Sequence, residues 1–515
     1  MSTAPAPEHA ASLRDSAAEF IVRVMVLAAL VWGFWGLVQF GYEAAYRMFF
    51  GYAQNLGASP LAQSIQLWIH GVMPYHSLDR PPYSLVPYGP VYLTLSGAVQ
   101  LLFPKLLFTG GRIVTFAASL GAAGMIIAIL RRSGVDRMLA VVPGLLFLSL
   151  PYVDRWGVQV NVDMLGVFLE LCGLYALGRF ACGGVAERRW LWRGIAVCAA
   201  AFFTKSSCIA AAGSFGVYLL FKRRFRDAVI FAAVLGAVLA AVYGLMNVLT
   251  AGQYYFHTTY EISRRLFFGV FVGRFWMDAL AVMPVLCAAA LAALVLGAVF
   301  RRHGLLWLYL VCSAALTVSL GKQGSDTNYF LGVCAASALG LGVLLGEFRR
   351  RGRRALVVLL LAGVLFQLRA EVPLAAHFLK YPEGLKRRAE YLDSLAETIR
   401  QAPGPVLAWE MSAILAAGKP IYFEPFPMAQ MGYSGVWDQT PILRDLENHK
   451  FSLALLYFYA PVLKADRNFT PEFMKAFKAN YRYVGHREVP GNKGSFVFYY
   501  VPDHKGANMQ PDEVQ

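Results

Sequence analysis

Side chains able to take a proton or hold an anion recur at short intervals along this sequence. Glu43 lies within Gly41-Tyr42-Glu43-Ala44-Ala45-Tyr46, Asp154 begins Asp154-Arg155-Trp156, and Asp163 closes Asn161-Val162-Asp163. Lys205 stands alone in an apolar stretch, His257, Glu261, Arg264 and Arg265 follow one another, and Lys322 and Asp326 precede Asn328-Tyr329. A carboxylate can draw a proton from an attacking hydroxyl or amine, and clustered cations can hold a departing phosphate. Steps of four and three residues would set His257, Glu261 and Arg264 along one helical face. Motifs of soluble enzymes do not occur: the sequence has no Asp-x-Asp for a nucleotide-sugar metal, no Walker loop and no His-Glu-x-x-His. Gly340, Gly342 and Gly346 fall inside an apolar run, where glycines serve close helix packing. The seven cysteines sit in or beside apolar runs without zinc spacing or a disulfide framework.

The elements that must position these residues are membrane helices. Of 515 residues 57% are hydrophobic and 15% charged, with mean hydropathy +0.49, more apolar side chain than soluble cores can hide. Disorder is excluded by the same composition. Apolar runs at 19–41, 107–130, 138–153, 164–181, 194–221, 228–249, 277–300, 304–320, 328–346 and 355–368 predict about eleven spans, because Thr204-Lys205-Ser206-Ser207 splits 194–221 into a hairpin. The first run is too long for a signal-peptide core and lacks a cleavage site, so it is a retained span.

The net charge of +16 arises from cations clustered between the runs: Arg131/Arg132/Arg137, Arg188/Arg189/Arg193, Lys222/Arg223/Arg224/Arg226, Arg301/Arg302 and 349–354. Nucleic acid is not implied; the clusters mark the cytoplasmic membrane face. They all fall on one side only if Pro87–Phe103 does not cross, so that segment is expected to lie in the outer interface, with Tyr88 and Tyr92 at headgroup level. The N-terminus is then cytoplasmic. The loop 41–106, the other candidate-bearing loops and everything after about 370 lie outside the cytoplasmic membrane, in the periplasm or its equivalent. Residues 1–369 form the membrane part. Residues 370–515 change to a polar, cysteine-free composition with helical patterns at 383–400 and 441–449 and strand patterns at 406–409, 421–423, 453–459 and 495–501. A small α/β domain follows from that alternation, ending in a frayed tail from Lys505.

Glu43-Ala44-Ala45-Tyr46 after the first span, Tyr88-Gly89-Pro90-Val91-Tyr92 with the later Gly111-Arg112, and Val162-Asp163-Met164-Leu165 opening a span together give a layout over roughly residues 20 to 346. It resembles the GT-C membrane glycosyltransferases, in particular glycosyltransferase family 39, which includes protein O-mannosyltransferases and lipid A aminoarabinose transferases. Thr204-Lys205 and Asn328-Tyr329-Phe330 are similar to later positions of that family. The resemblance implies a GT-C-like polytopic helical fold with interfacial first-loop helices. It also implies transfer of a sugar from a polyprenyl-phosphate carrier to a lipid, glycan or protein acceptor at the outer face. The family's first-loop motif is an Asp-Glu pair followed by Tyr; here Tyr42 replaces the Asp, so the role of base passes to another acid.

Among the acids, Glu43 is preferred as base, on the expectation that it ends a helix whose dipole opposes its charge. Asp163, at a helix start, is next; Asp154 and Asp79 are weakened by neighbouring Arg155 and Arg80. Lys205, Arg264, Arg265 and Lys322 are expected around the donor phosphate, and Tyr46, Tyr88, His257 and Glu261 around the substrate. No cofactor or metal is assigned. Each residue also has a structural alternative: interface anchoring for the carboxylates, snorkelling for Lys205, headgroup contact for Arg264/Arg265, and an interhelical contact for Glu170. Two other functional classes stay open, a polytopic transporter and a non-catalytic cell-envelope assembly protein.

Overall fold

The structure is a computed structural model that describes residues 7–183, 187–297, 299, 303–372, 380–459, 468–490 and 494–503. The Arg301/Arg302 cluster and the tail from Lys505 lie outside the described residues. Each apolar run becomes helix: α1 (Pro7–Phe49), α4 (Thr109–Arg132), α5 (Arg137–Leu148), α7 (Asp163–Gly183), α8 (Arg188–Phe202), α9 (Ala210–Phe221) and α10 (Phe225–Leu249), with α2 (Ala58–Ile69), α3 (Pro90–Gln100) and α6 (Pro151–Trp156) between them. After a short α11 (Gln253–Tyr255), a π-helical turn and α12 (Glu261–Arg264) come α13 (Gly269–Val282), α14 (Pro284–Gly297), α15 (Gly304–Leu316), α16 (Leu331–Arg350) and α17 (Arg354–Glu371).

Six of the described helical stretches are long and apolar enough to cross a membrane: 16–49, 109–132, 163–183, 225–249, 304–321 and 327–350. The apolar run expected at 277–300 as one span is broken by a sharp bend. α13 and α14 meet at 110° because Pro284 has no N–H to continue the helix. Gln367 satisfies the broken ends: its Nε2 donates to Val282 O at 3.0 Å and its Oε1 accepts Val285 N–H at 3.3 Å. The expected break at Thr204–Ser207 is present between α8 and α9. Arg224 beyond α9 donates to Ala181 O near the end of α7 at 3.2 Å, so the chain returns to the side from which α8 started. Glu170, mid-helix in α7, accepts Ala211 N–H at 3.1 Å and so satisfies a free donor at the start of α9. α2 and α3, of 12 and 11 residues, are about 18 and 17 Å long, shorter than a hydrocarbon core of about 30 Å, as are α5 and α9 at 12 residues each.

Among the described residues, basic clusters from distant parts of the sequence meet at one end. Arg349 pairs with Glu19 at 2.8 Å and with Asp136 at 3.8 Å, and Asp136 in turn caps α5 by accepting Met138 N–H at 3.0 Å. The first loop and the C-terminal domain occupy the other end.

That domain holds α18 (Tyr381–Gln401), β1 (Val406–Ala408), α19 (Met411–Ala416), α20 (Pro425–Tyr433), α21 (Thr440–Glu447), β2 (Leu453–Tyr459), α22 (Pro471–Asn480), β3 (Tyr481–Glu488) and β4 (Ser495–Pro502). The strands form one sheet in the order β1-β2-β4-β3, with β1 parallel to β2 and the other pairs antiparallel. The strand expected at 421–423 is absent from it. Phe423 makes instead an isolated bridge to Tyr83 of the first loop. One apolar cluster against the sheet includes Leu78, Tyr83 and Leu85, and another includes Phe50 and Tyr52, so the first loop is built into the domain's core. Trp437 Nε1 donates to Leu78 O at 3.0 Å across the same junction. Apolar surface removed from water on both sides of this junction holds the domain against the membrane part.

Candidate functional site

The candidate residues fall into two clusters on either side of α6. On one side α1 brings Glu43 and Arg47 one helical turn apart. Arg47 Nη2 bonds Glu43 Oε2 at 2.7 Å and Asp154 Oδ2 at 3.2 Å, Nη1 reaches Asp154 O at 2.6 Å, and Nε reaches Tyr381 OH at 2.7 Å. Glu43 and Asp154 line a cavity of about 440 Å³ that Glu371, Lys380 and Tyr381 also border. Two expectations are corrected here. α1 continues past Glu43 to Phe49, so the charge facing Glu43 is the Arg47 guanidinium and not the helix end. Asp154 pairs with Arg47, while its neighbour Arg155 turns to the other side and pairs with Asp326 at 3.0 Å.

On that other side Asp163 begins α7, and its two carboxylate oxygens are both held. Lys205 Nζ lies 2.6 Å from Oδ1 and Asn328 Nδ2 lies 2.8 Å from Oδ2. The face of the Tyr329 ring is 3.8 Å from the same ammonium. Gly89 explains how the first-loop motif reaches this point: a Cβ there would stand 2.0 Å from Phe203 O, so only glycine lets Tyr88-Gly89-Pro90 lie on the α8–α9 turn that carries Lys205. Val91 N–H donates to Phe203 O at 3.2 Å and locks the contact. Arg112 is buried at 1% exposure and donates to the carbonyls of Phe50 and Tyr52, fixing the chain as it leaves α1.

Above this pair opens a cavity of about 400 Å³ bordered by Tyr88, Arg155, Asn161, Arg265, Asn328 and Glu424. Arg265 is aimed by a bidentate pair with Glu261, Nε to Oε1 at 2.9 Å and Nη2 to Oε2 at 3.0 Å. Its segment is tied to the 321–326 loop by Phe268 N to Gly321 O at 2.7 Å and Gln323 N to Leu266 O at 2.8 Å. Lys322 takes part in that backbone pairing and does not border the cavity. Arg264 is exposed, its guanidinium 5.2 Å from the Tyr260 ring and away from the cavity. The expected single face through His257, Glu261 and Arg264 is therefore broken, because a π-helical turn over Phe256–Tyr260 rotates the residues apart.

Glu261 and His257 have no polar atom left for a substrate. Both Glu261 oxygens serve Arg265, and the residue is 2% exposed. His257 is fully buried, its Nδ1 accepting Val86 N–H at 3.1 Å and its Nε2 bonding His76 O at 2.8 Å. Burial holds its imidazole down at about 4, so the ring is neutral and fastens the first loop to the 250–268 segment. Tyr46 is 42% exposed, lies against Tyr42 with the rings tilted at 57°, and borders neither cavity. Among the described residues no group of His, Cys, Asp and Glu is placed to hold a metal ion.

Sequence reasoning missed Arg47 and Glu424. The spacing of Glu43 and Arg47 was a readable signal, the four-residue step of a helical ion pair. Glu424 had only a weak one, an acid before Pro425-Phe426-Pro427. Its carboxylate, 7% exposed, accepts Leu85 N–H at 3.0 Å from 339 residues away, and burial pushes it up to about 7.

No family model matches the sequence, and no curated protein matches it. Solved structures do. ArnT from Cupriavidus metallidurans bound to undecaprenyl phosphate is 16% identical with a TM-score of 0.56, over 95% of this chain and 99% of that one. The archaeal oligosaccharyltransferase AglB from Archaeoglobus fulgidus, in complex with an inhibitory peptide and a dolichol-phosphate, is 12% identical with a TM-score of 0.51, over 92% of this chain and 74% of that one. Both neighbours have the GT-C fold, and at these identities the likeness establishes for this chain that same fold.

Proposed function

We propose that this protein is a membrane glycosyltransferase that moves a sugar from a polyprenyl-phosphate carrier to an acceptor, with inversion, at the outer face of the cytoplasmic membrane. The observation that carries the reading is the 400 Å³ cavity with two guanidinium groups on its wall, Arg155 and Arg265, each oriented by an acid. A phosphate monoanion or dianion at a membrane face is held by such planar donors. The polyprenyl phosphates named for the ArnT and AglB structures support the same ligand class.

In this reading residues 1–369 form the catalytic membrane part, crossing about eleven times once the bent α13–α14 pair, taken as one span, and the shorter helices α5, α8, α9 and α17 are counted with the six longer ones. The clustered cations at the Glu19 end face the cytoplasm, which puts the first loop and residues 370–515 outside. Arg265 and Arg155 hold the phosphate with Tyr88 beside them, and the Asp163–Lys205 pair fixes the α8–α9 turn beneath. Glu43 is the base. It borders an open cavity with Asp154, whereas both Asp163 oxygens are held by Lys205 and Asn328.

The test is carrier release. Purified protein in lipid nanodiscs, given undecaprenyl-phosphate-linked sugars and a lipid or glycan acceptor pool, is expected to release undecaprenyl phosphate, and the Arg265→Ala variant to release it far more slowly. Movement of sugar across proteoliposomes without carrier consumption would instead establish the transporter reading.

A further inference from the structure

Glu424 and Gln430 enter the Arg265 cavity from the C-terminal domain, and neither is accounted for by phosphate binding. Glu424 occupies the N-cap position of α20 without capping it. Its backbone N–H donates to Tyr83 O at 2.8 Å and its Oε2 accepts Leu85 N–H at 3.0 Å, while among the described residues Oε1 has no hydrogen-bond partner. Gln430, on the same helix, is 5% exposed, and among the described residues neither its amide oxygen nor its amide nitrogen has a partner. A buried amide left unpaired on both sides costs stability in the free protein.

The place of this amide is set by Gly324, which has φ +85° and takes no side chain without strain. A Cβ on Gly324 would meet Gln430 Nε2 at 3.3 Å and Arg265 Nη1 at 3.7 Å, so amide and guanidinium converge on one point of the loop. Trp409 adds an aromatic face to the same cavity wall, its ring near-parallel to Tyr457 at 17°.

A carboxylate repels a phosphate, so Glu424 does not serve the charged end of the donor. It suits the neutral hydroxylated end, where a carboxyl oxygen hydrogen-bonds a hydroxyl, and an amide both donates to and accepts from a second hydroxyl. We propose that Glu424 and Gln430, with Trp409 against the apolar ring face, form the subsite that recognises the hydroxyls of the transferred sugar. The C-terminal domain thereby sets donor specificity, while the membrane part holds the phosphate. The inference rests on the donor reading above and deepens it.

The experiment uses the full chain in nanodiscs, the variants Gln430→Leu and Glu424→Gln, and two kinds of probe: undecaprenyl phosphate alone, and a panel of undecaprenyl-phosphate-linked hexoses and pentoses differing at single hydroxyls. Wild type is expected to bind one sugar configuration about tenfold or more better than its epimers. Both variants are expected to lose that discrimination and to bind the bare carrier within about twofold of wild type. Gln430→Leu is also expected to melt at a higher temperature than wild type, since it removes two unpaired buried groups, an outcome a structural amide would not give. Retained discrimination in both variants, or a lower melting temperature for Gln430→Leu, overturns the subsite. Wild type that binds every configuration equally overturns it as well. A wild-type protein that does not bind bare undecaprenyl phosphate removes the donor reading itself, and the subsite with it.

Discussion

Replacing Asp163 by Asn takes one charge from a pair whose side chains are 6% and 9% exposed and 2.6 Å apart. The Lys205 ammonium would stay buried with the Tyr329 face at 3.8 Å as its compensation. Breaking such a pair from one side costs about 3–5 kcal/mol. Asparagine keeps an oxygen able to accept from Lys205 or Asn328, so the low end, about 3 kcal/mol, is expected. Lys205→Met should cost a similar amount, because the carboxylate would keep only neutral donors such as Asn328 Nδ2 at 2.8 Å. The double variant removes both charges and should be less destabilised than the sum of the two, with a coupling of about 2 kcal/mol, inside the range found for contacting residues. Unfolding of the purified proteins in one detergent, followed by intrinsic fluorescence, gives the three shifts needed for the cycle. Additive losses would show that the pair is not coupled and would refute its role in fixing the α8–α9 turn. Retained donor affinity with a lost chemical step in the double variant would return Asp163 to the list of bases.

Glu43→Gln should bind donor normally and slow single-turnover transfer by about 10²-fold or more, the lower bound for a general base; a loss of less than about tenfold would remove Glu43 from that role. Arg265→Ala should weaken donor use by about 1.5–3 kcal/mol while Arg264→Ala leaves it unchanged, measured as kcat/KM for the carrier-linked sugar, because only Arg265 faces the cavity. Glu424 supplies a pH signature. Its pKa of about 7 in the folded protein exceeds the ordinary carboxylate value of about 4.3. Between the two, the native state keeps a proton that the unfolded chain has lost, so this group's contribution to stability falls as pH rises through that window. The groups facing it are Arg265 and Glu261. Glu424→Gln should therefore flatten the decline in melting temperature between pH 5 and 8 relative to wild type, and an unchanged profile would contradict the burial of this carboxyl.

Helices and ends were legible because their signals are local. Apolar runs marked the helices, the arginine clusters marked the ends, and Thr204–Ser207 broke a run too long for one span. Pro284 was equally local, yet composition alone made 277–300 continuous; the proline decides the bend and Gln367, from another helix, makes it tolerable. The site was legible in part. Asp163, Lys205 and Asn328 were each singled out as polar residues in or flanking apolar runs, but their mutual pairing is a tertiary fact spanning up to 165 residues. Glu261 and His257 were misread because a π-helical turn changes which residues share a face, and nothing in the spacing announces that turn. β3 escaped because Tyr481–Glu488 is an edge strand rich in charge, without a strong apolar alternation. Glu424 escaped because its partner is a backbone N–H, at Leu85, which carries no side-chain signature.

The central claim is that the cavity between the membrane helices and the C-terminal domain binds a polyprenyl phosphate through Arg155 and Arg265. A structure of the protein in nanodiscs with undecaprenyl phosphate tests it most directly. The account predicts phosphate density within hydrogen-bonding distance of both guanidinium groups, beside Tyr88, with the prenyl chain leaving between membrane helices. Density elsewhere on the protein, with this cavity empty at saturating carrier, would contradict it.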